Sequence, residues 1–343
     1  MTGPRVLQAL AGAHHGGAEN FFVRLCGALH RAGLPQRVVI RRDADRAAAL
    51  RALGIEPAEV RFGGWFDFST GPALRRLIRE WRPQIVLTWM NRASASMPRG
   101  DFVHVGRLGG YYDVKYYRHC HQLIALTPDI IEHLVRQGWP RERIQHITNF
   151  VDATPADPVD RATLATPPDV PLVFACGRLH RNKAFDILIR ALADVPRAIL
   201  WLAGDGPERA ALERLAADAG VADRIRFLGW RDDLPALYRA ADLFVCPSRH
   251  EPFGSIVPEA WAHGAPMVAA AAQGPAAMIT DGVDGLLVPI DDAPAMAAAM
   301  RAALDDPALR ARLAAAGRVT HAARYSEPAV VAQYLSVFDR IAA

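Results

Sequence analysis

The feature that most limits what this chain can fold into is a pattern that occurs twice. Short apolar runs alternate with helical runs from Arg5 to Thr148. A proline-rich stretch from Val151 to Val170 interrupts them, and the alternation restarts at Leu172. Strands alternating with helices build a parallel sheet covered on both faces. In the interrupting stretch Pro155, Pro158, Pro167 and Pro168 each remove a backbone donor, and apolar residues are few, so it reads as a linker. At 343 residues the chain has room for two domains. The expected division is a first domain over 1–155, a linker over 156–170, a second domain over 171–325 and a closing helix over 326–343 that packs back towards the first domain. The expected fold class is α/β: two Rossmann-like, doubly wound domains facing each other across a cleft. Such sheets bind ligands beyond the carboxyl ends of their strands.

In the first half, strands are expected at Arg5–Leu10, Gln36–Ile40, Glu59–Phe62, Gln84–Met90, Phe102–Leu108, Gln122–Thr127 and Ile144–Thr148. Helical spacing of apolar residues marks Ala18–Arg31, Asp43–Leu53, Gly71–Arg82 and Pro128–Gln137. In the second half, strands are expected at Leu172–Cys176, Ala198–Ala203, Ile225–Leu228, Asp242–Cys246, Met267–Ala270 and Gly285–Val288. The helices there include Phe185–Ala193, Glu208–Ala219, Leu234–Ala240 and a helix-like run at Ser255–His263. After Pro289 the chain is Ala-rich and helical, and a last helix spans Pro328–Ile341.

Several function classes fall away on composition. No uninterrupted apolar run is long enough for a transmembrane helix, and the apolar stretch near the N-terminus reads as a first strand rather than a signal peptide. Cys26, Cys120, Cys176 and Cys246 lack metal-ligand spacing and read as buried thiols, which fits a cytoplasmic protein. The net charge of +4 is uneven, +8 up to Asp152 and −4 beyond it. The basic residues form no nucleic-acid recognition motif, so no nucleic acid is expected as a partner. A basic half does suit an anionic membrane surface or a phosphorylated acceptor. Lys115 and Lys183 are the two lysines among 40 strong bases. In so arginine-rich a chain each lysine stands out, because an ammonium acts on phosphate as a point charge and a guanidinium as a fork.

The chemistry-bearing residues sit at strand ends. Gly12-Ala-His-His-Gly-Gly-Ala-Glu19, which includes His14 and His15, follows the first strand and opens a helix. It lacks the dinucleotide fingerprint; its backbone amides either hold an anion or form a tight turn. In the second half, Cys176-Gly-Arg178-Leu-His-Arg-Asn-Lys183 can bring two cations together on one loop. Ala203-Gly204-Asp-Gly206 permits close backbone approach. Arg249–Gly264 carries Glu251 and Glu259 around a Phe253-Gly254-Ser255 turn. Two cations facing a helix start near Ser255 describe a diphosphate site.

Taken in order, GGAE, GRLHRNKAFD, LAGDGPE, FLGW, EPFGSIVPEAWAHG and DGVDGLLVP resemble the family-4 retaining glycosyltransferases of the GT-B fold, over nearly the whole chain and most densely from Phe174 to Val288. The resemblance implies that Arg178 and Lys183 bind the diphosphate of a nucleotide-sugar, that Glu259 accepts from the ribose hydroxyls and that Glu251 faces the transferred sugar. Backbone groups at Phe253, Gly254, Ser255 and Ile256 would hold sugar and phosphate oxygens. Gly204 would admit the ligand, Leu228 and Gly229 would lie near the base, and Gly16 and Gly17 would close the site from the other domain. It implies no metal and no other cofactor, because the cations neutralise the leaving diphosphate, and a same-face substitution for retention. His104 and Arg107 are both candidates for a family histidine near the reacting centre. The family commonly has Gly after the lysine; Ala184 stands here and is expected to be tolerated at negative φ.

The run Arg107–Tyr117 is aromatic and basic and looks somewhat like the acceptor region of lipopolysaccharide-core sugar transferases, with Arg107, Tyr111 and Asp113 as acceptor candidates. With the basic stretch Arg75, Arg76, Arg79, Trp81 and Arg82 it suits peripheral contact with the inner face of the cytoplasmic membrane. The expected activity is sugar transfer from a nucleoside-diphosphate-sugar to a glycan or glycolipid acceptor in bacterial surface-glycan synthesis. The alternatives are a sugar-nucleotide epimerase of the same architecture and a non-catalytic nucleotide-sugar binder. An epimerase would lack the Arg178/Lys183 array with paired glutamates.

Overall fold

The computed structural model describes residues 3–14, 16–63 and 67–342. His15, named above in the glycine-rich turn, and the chain-end residues Met1, Thr2 and Ala343 lie outside the described residues. The chain forms two compact units, one of residues 1–149 with 327–343, the other of residues 150–326.

In the first unit the elements run β1 (Val6–Leu10), α1 (Gly17–Arg31), β2 (Gln36–Arg41), α2 (Ala44–Ala52), β3 (Pro57–Val60), α3 (Thr70–Trp81), β4 (Ile85–Trp89), α4 (Met90–Ser96), β5 (Val103–Leu108), β6 (Gln122–Ala125), α5 (Pro128–Arg136) and β7 (Ile144–His146). The sheet order is β3-β2-β1-β4-β5-β6-β7, with every neighbouring pair parallel. Val6 stands opposite Gln36 on one side and Ile85 on the other, so β1 is central, and it is buried along its whole length. That is why VLQAL is a continuous near-apolar run rather than an alternating one. Side chains start the helices. Asp43 accepts from the Arg46 N–H at 2.9 Å, and Thr127 accepts from the Ile130 N–H at 3.2 Å.

In the second unit the elements are β8 (Leu172–Cys176), α6 (Phe185–Ala193), β9 (Ile199–Ala203), α7 (Arg209–Asp218), β10 (Ile225–Gly229), α8 (Leu234–Ala240), β11 (Leu243–Cys246), α9 (Ile256–Ala262), β12 (Met267–Ala270), α10 (Gln273–Met278), β13 (Leu286–Val288), α11 (Ala293–Asp305) and α12 (Pro307–Arg324). Its parallel sheet runs β10-β9-β8-β11-β12-β13. From β8 the chain winds outward through β9 and β10, then returns to the other side of β8 with β11. The winding therefore reverses between β8 and β11, which is where open parallel sheets bind ligands. Both faces of this sheet are packed. Leu188, Leu192 and Met300 cover one, and Tyr238, Trp261 and Met278 the other.

The proline-rich stretch is fastened to the second unit. Thr166 is buried and accepts from the Trp201 indole N–H at 2.8 Å, and Arg161 bonds to the Ala240 carbonyl and pairs with Asp242 at 3.1 Å. The last helix, α13 (Glu327–Ala342), belongs to the first unit. There it buries Val330, Tyr334 and Phe338, and its Glu327 and Arg340 bond to Arg31 and Gln145, each at 2.6 Å.

Three local departures from the sequence reading have physical causes. β4 ends at Trp89, and Met90, at φ 61°, turns the chain into α4. That helix is seven residues long and rich in Ala and Ser, so it carries no apolar periodicity. The helix α10 escaped notice for the same reason, having Gly and Pro in its first turn. The Ala-rich tail splits at Asp306-Pro307, because proline cannot continue a helix while Asp306 caps the next one from the Ala308 and Leu309 N–H groups.

Candidate active site

The loops that follow β8, β9, β11 and β12 lie at one edge of the second sheet, and close backbone contacts bind them together. The Arg249 and His250 N–H groups both donate to the Asn182 carbonyl, at 2.8 and 3.2 Å, joining the β11 loop to the β8 loop. The Gly274 N–H donates to the Glu251 carbonyl at 2.8 Å, joining the β12 loop, and the Leu179 N–H donates to the Asp205 carbonyl at 2.9 Å, joining the β9 loop. Glycine is required at two of these junctions. A Cβ on Gly204, at φ +130°, would lie 1.9 Å from the Gly177 carbonyl oxygen, and one on Gly274 would lie 2.2 Å from the Phe253 oxygen. The strand-end glycines thus let neighbouring backbones touch.

The Lys183 ammonium and the Glu251 carboxylate meet across the β8–β11 junction in a half-buried ion pair. Gly254, at φ +76°, turns the chain just beyond Glu251, and a Cβ there would come within 2.9 Å of the Glu251 Cγ. Arg178 is exposed on the same loop as Lys183 and has no side-chain partner among the described residues. The helix α9 begins at Ile256, with Ser255 in helical conformation and making no side-chain cap. Glu259 lies one turn in, and its carboxylate receives the Tyr238 hydroxyl at 3.5 Å. Tyr238 is buried, bonds Cys176 at 3.3 Å and stacks on His263. Burial first, then the negative charge nearby, pushes its phenol well above the usual range, so it stays a neutral donor. Phe253, Ser255 and Ile256 are half-exposed around this turn. Leu228 and Gly229 end β10, and Gly204 bridges to Gly229 with an N–H to carbonyl bond of 2.7 Å. The sequence-predicted donor residues of this half therefore share one edge of one sheet.

Two features of this edge were not anticipated. Arg249 lies beside the motif and ties three loops together. Its guanidinium makes a forked pair with Asp186 of α6 at 2.8 and 2.7 Å, contacts Asp291 and donates to the Arg181 carbonyl at 2.9 Å. No sequence motif marks it; the signal that could have found it is an arginine next to the β11 loop with an acid in the first turn of α6. The second concerns Ala184. The condition of negative φ under which alanine was expected to be tolerated is not met: Ala184 is left-handed, at φ 53° and ψ 35°, where it ends the Lys183 turn and starts α6. The Arg181–Lys183 turn is tight and must reverse hand to enter the helix, which is why glycine suits the position.

The first unit treats its candidates differently. Gly16 is extended and Gly17 opens α1. The Glu19 carboxylate folds back into the glycine-rich turn and accepts the Ala13 N–H at 2.9 Å. A Cβ on Gly12 or Gly16 would lie 2.7 or 2.2 Å from a Glu19 oxygen. The turn closes on an anion that the chain itself supplies. His104 is buried in β5, bonded to Thr88 at 2.9 Å. Desolvation first, then the neighbouring His121, lowers its pKa to about 4, so it is neutral. Arg107 is also buried. It donates to the Tyr334 hydroxyl at 2.8 Å and to Asn149, and lies over the rings of Trp89 and Phe21. Both side chains have structural work inside this unit, and Arg107 anchors α13. Tyr111 donates to Asp129 at 2.5 Å, and Asp113 caps a turn at the Lys115 N–H and pairs with that lysine at 2.8 Å.

Two parallel-sheet units of this construction have the GT-B architecture. The chain belongs to the family-4 glycosyltransferases and is a glycosyltransferase. Residues 170–306 match the family described as glycosyl transferases group 1, and residues 15–154 match glycosyltransferase family 4. It is 40% identical over 333 residues to the lipopolysaccharide core biosynthesis glycosyltransferase LpsD of Rhizobium meliloti (strain 1021), covering 95% of both chains. It is 39% identical to LpsE of the same organism, covering 94% of this chain and 95% of that one. The fold is also that of a glycosyltransferase from Rickettsia africae ESF-5 (TM-score 0.87, 18% identity, 99% of both chains). Anabaena HepE in complex with UDP shares it too (TM-score 0.84, 21% identity, 98% of this chain and 100% of that one).

Proposed function

We propose that the second unit binds a nucleoside-diphosphate-sugar and that the enzyme transfers the sugar to an acceptor hydroxyl with retention of configuration. The observation that carries this reading is the convergence of Lys183, Glu251 and the Gly254 turn at the β8–β11 switch point. The HepE structures, which hold UDP or UDP-glucose, support a nucleotide-sugar donor. Arg178 and Lys183 take the diphosphate, Glu259 the ribose hydroxyls, Leu228 and Gly229 the base side, and Glu251 the sugar. The bond from the anomeric carbon to the phosphate oxygen breaks, the acceptor oxygen bonds to that carbon on the same face, and the acceptor proton passes to the departing phosphate. Preorganised cations stabilise the charge that develops on the leaving group, so the reaction needs no metal. Lys183 leaves Glu251 for the incoming diphosphate, which releases the carboxylate for the sugar hydroxyls.

The relatives named for lipopolysaccharide core biosynthesis support a core glycan or glycolipid as acceptor, recognised by the first unit through Tyr111 and Asp113 at the carboxyl end of β5. No helix among the described residues is long and apolar enough to cross a membrane. A cytoplasmic enzyme that touches the inner membrane face through its basic first half fits the +8 charge of that half.

The test is calorimetry with UDP, GDP and ADP, followed by transfer assays with the sugars of the nucleotide that binds. Lys183→Ala should weaken the nucleoside diphosphate by about tenfold to a hundredfold, from loss of a charge-assisted contact. Glu251→Gln should lower transfer far more than it weakens that nucleotide. Wild-type affinity in Lys183→Ala would place the donor elsewhere. Donor binding without turnover on any core acceptor would favour a binding protein.

A further inference from the structure

One concentration of positive charge in the first unit lies at the edge of its sheet opposite the carboxyl ends of its strands. The segments that lead into β5, β6 and β7 enclose a concave pocket of about 430 Å³, whose charged or ionisable side chains include Arg99, Arg118 and Arg143 with His104, His119 and His121. No carboxylate lines it. Arg118 and Arg143 are exposed and have no side-chain partner among the described residues.

The hydrogen bonds fix the tautomers of two of these imidazoles. His121 Nδ1 accepts the His104 backbone N–H at 2.9 Å, so its proton sits on Nε2. His119 Nδ1 lies 3.2 Å from Arg99 Nη2; a guanidinium cannot accept, so the imidazole does, and its proton also sits on Nε2. Arg99 is therefore partnered by a neutral ring that leaves its charge uncompensated. Both exposed-side imidazoles present donors alongside three guanidinium groups. Burial pushes the Cys120 thiol up to about 12, so it adds no thiolate. Among the described residues no cluster of His, Cys, Asp and Glu can hold a metal ion. The adjoining groove, about 830 Å³, shares Arg99 and adds Arg75, Arg79 and Arg82 against the single carboxylate of Asp101.

Donors without acceptors, in a pocket with a charge excess of three, select a small multivalent oxyanion, and arginine forks match tetrahedral phosphate oxygens. We propose that this pocket is a second binding site, specific for a phosphate monoester, at the amino edge of the first sheet. It lies at the opposite edge of that sheet from the strand end that carries Arg107, and His104 in its wall is buried and bonded to Thr88, so the pocket anchors a phosphorylated ligand rather than taking part in transfer. The pocket admits a phosphorylated monosaccharide or the headgroup of a phosphate-monoester lipid; the shared chemistry is the monoester dianion. The proposal is independent of the donor reading.

The experiment uses the full chain and an Arg118→Ala/Arg143→Ala variant, whose side chains have no partners to lose. Calorimetry with glucose 6-phosphate and inorganic phosphate forms one arm. Flotation with phosphatidic acid vesicles against phosphatidylcholine vesicles forms the other. UDP affinity and melting temperature are read in both proteins as controls and should match. Binding by the wild type in either arm, reduced tenfold or more in the variant, supports the site, and the arm that responds names the source. No binding in either arm, or equal binding by wild type and variant, overturns it. A UDP affinity that falls with the variant would also overturn it, because the pocket would then belong to the donor site.

Discussion

The two units are built to one plan and use their strand-end glycines in opposite ways. In the second unit Gly204 and Gly274 let the backbones of neighbouring loops touch, and the half-buried Lys183–Glu251 pair stands where the loops converge, with Arg178 exposed beside it. In the first unit Gly12 and Gly16 make room for the chain's own Glu19, which fills the turn. A glycine-rich turn at the end of the first strand thus says that something comes close to the backbone. It does not say whether that is a ligand or a side chain. The first unit also gathers Arg99, Arg118 and Arg143 around a pocket at the other edge of its sheet.

Substitution of the glycines tests this contrast most strongly. Gly204→Ala drives a methyl into a carbonyl oxygen from an unfavourable φ, and neither backbone can yield. A loss of roughly 2–5 kcal/mol in denaturant unfolding is expected. Gly16→Ala meets the far end of a flexible glutamate instead, and should cost about 1–2 kcal/mol. Adding Glu19→Ala should recover about 1 kcal/mol of that in a double-mutant cycle. Gly17→Ala, with nothing within 4 Å, should be neutral or slightly stabilising. If Gly16→Ala and Glu19→Ala prove additive, the turn does not close on that carboxylate.

The architecture was legible in the sequence because it rests on continuous apolar runs. VLQAL, LVFAC and ILWLA announce strands buried on both faces, and Asp43 announces a helix start. The convergence of the second unit's strand-end loops was legible because their residues form an ordered motif array. The rest depends on contacts between residues distant in the chain. Arg107 looked like a site residue at a strand end, yet it holds Tyr334, 227 positions away. Glu19 looked like the tail of a glycine motif and is its filling. Arg249 opens the stretch that carries Glu251 and Glu259, yet its role appears only when Asp186 and Asp291 come to it from α6 and from beyond β13.

Arg249 gives the next, smaller effect. Arg249→Lys keeps the charge and loses the fork, so the three loops should hold Lys183 less firmly. Because Arg249 is a positioning residue, we expect near-native melting with nucleoside diphosphate affinity weakened about tenfold, the size of one charge-assisted contact. Asp186→Asn should do the same, since it removes the other side of the forked pair. The equivalent change at Arg107, also buried in interactions, should instead lower stability and leave nucleotide affinity untouched, because its partners are Tyr334 and Asn149 of the first unit. Equal behaviour of the two variants would erase the distinction between a loop clip and a helix anchor.

The smallest effect concerns Ala184. A left-handed alanine costs about 1–2 kcal/mol relative to its preferred conformations, and glycine lowers that cost. Against this stand the loss of a buried methyl, worth about 0.8 kcal/mol, and the larger entropy of an unfolded glycine. The terms nearly cancel, so Ala184→Gly should change unfolding free energy by no more than about 0.5 kcal/mol, with nucleotide affinity within twofold of wild type. A larger gain would show that strain beside Lys183 is stored in the turn. A larger loss would show that the buried methyl is what holds the left-handed turn in place.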